Sequence, residues 1–147
     1  MIFGIGKRIA SAITREVQAD YTGNRDFLEA VCAASAFVAA SDGDIDDQEK
    51  RAAIDNICAN KTIGKCYSRN EVEDSFRKMA ERVNSRSGRQ ELLREMDDIA
   101  NQPTQMREDV YCIALDVADS GGISEAEAAR LETISQRLRV DASKFDE

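Results

Sequence analysis

The chain contains no histidine. That removes the commonest general base and any Ser–His or Cys–His dyad. It also weakens the case for zinc, since the four cysteines (Cys32, Cys58, Cys66, Cys112) show no Cys-x-x-Cys spacing. Tryptophan is absent and there is one proline, Pro103. Scarce helix breakers and abundant Ala, Glu, Arg and Leu point to an all-helical globular fold. No run approaches the roughly 20 apolar residues of a membrane span. The opening "MIFGIGKRIASAITREV" interrupts its apolar positions with charge, unlike a signal peptide. Clustered basic residues are lacking too. The net charge is −8, which argues against a nucleic-acid partner, because phosphate binding depends on clustered Lys and Arg.

What charge there is lies unevenly. Residues 1–17 carry Lys7, Arg8 and Arg15 against Glu16, a local +2 that leaves −10 elsewhere. Within 1–20, Ile2, Ile5, Ile9, Ile13 and Val17 recur at helical spacing. An amphipathic N-terminal helix is expected there. It either docks on its own domain, lies in a membrane interface, or meets a partner. For the latter two, Ile2, Phe3, Ile5, Lys7, Arg8 and Ile9 are the expected contact residues.

Seven helices and a closing turn are expected, with no strand. After 2–19 they run over about 25–41, 47–60, 68 onward, 87 onward, 105–119 and 124 onward. "NKTIGK" (60–65) reads as a connection and "DASKF" (141–145) as a turn. Ser68 with Glu71 forms a capping-box pattern. Ser87 with Gln90 reads as the next, and Thr104 as a cap after Pro103. "AVCAASAFVAA" (30–40) and "VYCIALDVA" (110–118) are apolar nearly all round, the mark of buried central helices. Residues 21–147 are expected to form one domain, its halves at about 24–102 and 103–147.

Each apolar helix runs into an acidic or small-residue loop. "SDGDIDDQEK" (41–50) and "SGGISEAEAA" (120–129) align at an offset of 78, matching Gly43 with Gly121, Ile45 with Ile123 and Glu49 with Glu127. The repeat places the apolar helices together at the centre and the loops near each other. An EF-hand register from Asp42 fails, because Asp47 stands where glycine belongs and Ala53 where glutamate belongs. Capping explains more: Asp46 with Glu49 and Ser124 with Glu127 fit capping boxes, preceded by staple residues Ile45 and Ile123. It leaves Asp42 and Asp44 at a helix C-terminus, where carboxylates are disfavoured unless a hard cation is bound. Divalent-cation binding and a solvated acidic face both remain open on these residues.

The small-residue helix, "ASDGDIDDQEK" and its second copy resemble the tellurite-resistance TerB family. The resemblance implies two similar helical halves and a negatively charged, calcium-binding face built from both loops. It also implies a non-enzymatic role in tellurite or other stress resistance, cytoplasmic and at the inner face of the membrane. Carried over by position, the calcium ligands would be Asp42, Asp44, Asp46, Glu49 and Glu127. The second loop departs from the pattern, with Ser120 at the position of Asp42 and Gly122 at that of Asp44. Asp119, one residue earlier and about 100° round the helix, is the expected substitute ligand in that loop. The alternative to a cation-binding adaptor is a structural interaction module, such as a subunit of a larger assembly, without metal dependence.

Overall fold

The structure is a computed structural model that describes residues 21–119 and 122–146. Among these residues there are seven α-helices and no strand. They are α1 (Arg25–Ala39), α2 (Asp47–Ala59), α3 (Lys61–Cys66), α4 (Arg69–Glu81), α5 (Arg86–Asp97), α6 (Thr104–Ala118) and α7 (Glu125–Leu138). Short 3-10 turns occupy Arg82–Asn84 and Ala142–Phe145. The all-α expectation holds, though α3 falls in the stretch expected to be a connection. Asn60 explains it: its side chain accepts from the backbone of Thr62 and Ile63, starting a one-and-a-half-turn helix that buries Ile63. The expected N-terminal helix and its contact residues lie outside the described residues.

The central element is α1. Every residue from Ala30 to Val38 is buried, because a helix apolar on all faces has no side to give to water. Its alanines let neighbours approach closely, and α6, α4, α5 and α7 all pack on it, α6 most extensively. The core that results is continuous from Phe27 to Leu138, with Phe76, Met79, Leu92, Met96, Ile113 and Ile134 fully buried. The contact of α1 with α6 crosses residue 102, so packing makes no break where the halves meet in sequence.

Most helix starts obey the local code. Asp46–Glu49, Ser68–Glu71 and Ser124–Glu127 all form complete capping boxes. Two expected caps are replaced. At α5 the cap is Ser85, which accepts from Gly88 N at 2.9 Å, in place of Ser87. At α6 the residue before the helix is Pro103, and Thr104 is already helical. The Thr104 hydroxyl instead accepts from Arg107 Nη2 at 2.8 Å. Proline suits such a start, since its missing N–H would have had no partner there. On α7, Leu131, Ile134 and Leu138 are buried while Ala128 is exposed.

Arginines from neighbouring helices satisfy two C-termini. Arg107 donates to the carbonyls of Leu138 and Arg139 at 3.1 and 2.6 Å, holding the end of α7 against the start of α6. Arg130 on α7 donates to Phe37 O at 2.7 Å, in the last turn of α1, and its guanidinium lies 4.5 Å from the Phe37 ring centroid. A cation at the negative end of a helix, over an aromatic face, is favoured twice.

Candidate functional site between the two capped loops

The loops after α1 and α6 end their helices on the same side of the molecule. At the other end, Tyr21 donates to Asp109 Oδ2 at 2.9 Å, tying the approach to α1 to the first half of α6. At this end Ala39 and Val117, near the C-termini of the same two helices, line one cleft. The two helices therefore run in the same direction and deliver their loops together. The proximity expected from the repeat is found.

That cleft has a volume of about 130 Å³. Its apolar lining comes from Ala39, Ala52, Ala53 and Val117, and its polar lining from Asn56, Glu49 and Glu127. The two glutamates are equivalent members of the repeat, each the third residue of its helix. Glu49 Oε1 accepts from Asp46 N at 2.9 Å, and Glu127 Oε1 accepts from Ser124 N at the same distance. In return, Asp46 Oδ1 accepts from Glu49 N at 2.7 Å and Ser124 Oγ accepts from Glu127 N at 3.1 Å. One carboxylate oxygen of each glutamate is thus fixed by the helix start it caps.

The remaining acidic residues behave differently from one another. Asp42 and Asp44 are exposed and make no hydrogen bond or ion pair with other described residues. Asp46 is consumed by its capping box and Asp119 is exposed at the C-terminus of α6. Burial, with the charge of Asp119 adding, pushes the Asp116 carboxyl above its ordinary range. Among the described residues no three Asp, Glu, Cys or His side chains are placed to hold a metal together. Calcium takes six to eight oxygens, so the expected set of Asp42, Asp44, Asp46, Glu49, Asp119 and Glu127 is not assembled as one group here.

The two loops also end differently from the sequence alignment. Gly43 takes a positive φ of 128° and donates to Ala40 O. In the second loop the described residue with positive φ is Gly122, at 88°, and Gly121 lies outside the described residues. Ile45 is buried as a staple, whereas Ile123 is exposed at 40%. The four cysteines are free. Cys32 is fully buried and its thiol is pushed up to about 12, chiefly by burial. Cys66 is buried as well, and its Sγ accepts from Tyr21 N at 3.3 Å.

No family model, curated protein or solved structure matches the chain. The TerB resemblance therefore stands on the loop residues themselves. Ala52, Ala53, Asn56 and Val117 escaped the sequence reading. Their positions on α2 and α6 look like ordinary helix faces until the crossing of those helices opens a cleft between them. No helix of the described residues is long and apolar enough to cross a membrane.

Proposed function

We propose that the chain is a non-enzymatic, acidic helical interaction module, TerB-like in plan, whose contact face is the surface shared by the two capped loops. The observation that carries this reading is the meeting of Glu49 and Glu127, one from each copy of the repeat, at a single cleft. Capping alone requires each glutamate but does not require them to share a cavity. Size argues against catalysis, since small-molecule sites usually span about 300–1,000 Å³ and this cleft has about 130 Å³. Its lining also offers no nucleophile or base beyond carboxylates. The protein works in this reading as an adaptor in stress resistance of the tellurite type, on the cytoplasmic side of the membrane. Residues 1–17, basic and apolar, attach it to a partner or to anionic lipid.

A capture experiment tests the face. Full-length protein and a variant with Asp42, Asp44, Asp47, Glu49, Glu125 and Glu127 changed to the corresponding amides are compared as baits in native lysate. Loss of the same captured species from the variant supports the reading, and unchanged capture removes it.

A second reading, weak calcium binding, is favoured by the freedom of Asp42 and Asp44 at the end of α1. Calorimetric titration with calcium and magnesium decides it. Heat that disappears in an Asp42→Asn, Asp44→Asn variant supports cation binding. Absence of heat and of thermal stabilisation at millimolar metal leaves the metal-independent interaction module.

A further inference from the structure

We infer that the cleft between the loops takes the side chain of a lysine from a basic partner segment, which rests on the interaction-module reading and specifies its occupant. Size comes first. A volume of about 130 Å³ lies below the roughly 300–1,000 Å³ usual for small-molecule sites and suits one slender side chain better than a nucleotide or an aromatic cofactor. Lining comes next. Ala39, Ala52, Ala53 and Val117 supply an apolar wall, with Glu49 and Glu127 on the same cleft. An apolar stem ending in a compact charge matches this combination, and lysine lays its methylenes on apolar surface while its ammonium stays in a polar setting.

The glutamates are suited to the role because they are already ordered. Each has Oε1 held by its own helix start, at 2.9 Å in both cases, so binding need not freeze either side chain. The second oxygen of each carries no hydrogen bond with the described residues. Two carboxylates on separate helices suit the three rotatable donors of an ammonium better than arginine's planar fork, which favours one carboxylate taken bidentately. A bare divalent ion would meet two carboxylates and one amide among alanine and valine side chains, a poor oxygen shell. At longer range, the −10 carried by the chain beyond residue 17 draws basic segments in.

The test is methyl-resolved NMR on the full chain with labelled alanine and valine. The probe is a blocked peptide of alternating lysine and serine. Saturable shifts concentrated on Ala39, Ala52, Ala53 and Val117 are expected. The same peptide with Nε-acetylated lysines keeps the stem but loses the charge, and should give none. An arginine–serine peptide should bind more weakly. In the double variant Glu49→Gln, Glu127→Gln each amide still accepts from its N-cap backbone, so the capping boxes survive. Helix content should be unchanged while affinity falls at least about tenfold. Ala52→Leu, at an exposed position, fills the cleft without touching any carboxylate and should abolish the shifts. Shifts spread over the whole acidic surface, equal binding of the acetylated or arginine peptide, or unchanged affinity in either variant overturns the lysine assignment. Such a failure alongside continued capture through the loop face would leave the broader module intact. Loss of dependence on the entire loop face would remove both.

Discussion

Single residues in this protein show how burial and charge set local chemistry. Asp116 carries a carboxyl whose pKa is raised by burial and by Asp119. A raised folded-state value means the native form holds this proton more tightly than the unfolded chain does, so ionisation opposes folding at neutral pH. That penalty is lifted as pH falls through the folded value and is absent below the ordinary carboxylate range. Asp116→Asn is therefore expected to raise the melting temperature slightly at pH 7, with the gain vanishing near pH 3. The gain is small because Asp116, though its carboxyl is crowded by surrounding protein, still reaches the surface, where water screens much of the penalty. Arg130 works in the opposite sense. It is half-buried, joined to Phe37 O and stacked on the Phe37 ring. Burial, with Arg89 adding, lowers its pKa, yet a guanidinium remains charged. Arg130→Ala should cost about 1–2 kcal/mol in denaturant unfolding, the worth of a charged hydrogen bond and its stacking. Recovery by Arg130→Lys should be partial, because an ammonium lacks the planar face.

At the scale of elements, the start of α5 shows where local code stops. Both Ser85 and Ser87 stand where serine caps a helix, and the Ser-x-x-Gln pattern favours Ser87. The choice of Ser85 is made by packing: a Cβ on Gly88 would lie 2.0 Å from Arg82 O, so only glycine lets this first turn close on the 3-10 turn before it. Alanine is the better helix former by about 1 kcal/mol. Even so, Gly88→Ala is expected to destabilise the protein by about 1–3 kcal/mol, the usual cost of forcing a packed backbone apart. Chemical denaturation checks the sign. The contrast explains what was legible. Asp46–Glu49, Ser68–Glu71 and Ser124–Glu127 could be read because each box is closed within four residues. α3 could not, since its six residues hang on Asn60 and on burial of Ile63. The candidate site divides in the same way: its glutamates were visible in the repeat, and its alanine wall was not, because α2 and α6 meet only in three dimensions.

For the whole molecule, the core runs from Phe27 to Leu138. It is centred on α1, and α6 is its largest neighbour. Glycines at 4 and 6 weaken the expected N-terminal helix by roughly 1 kcal/mol each relative to alanine. Removal of residues 1–17 is expected to leave cooperative unfolding intact and to abolish attachment to a partner or to anionic vesicles. A melting temperature lowered by many degrees, or aggregation of the truncated chain, would place that segment in the core.

The same two glutamates that open α2 and α7 line the cleft, so folding and occupancy are thermodynamically linked. Anything that binds the native cleft and not the unfolded chain raises apparent stability by RT ln(1 + [L]/Kd), about 2.7 kcal/mol at a hundredfold excess over Kd. The linkage also has a location. Occupancy should slow amide hydrogen exchange first at Glu49 and Glu127, in the opening turns of α2 and α7, two segments 78 residues apart in sequence that would gain protection in concert.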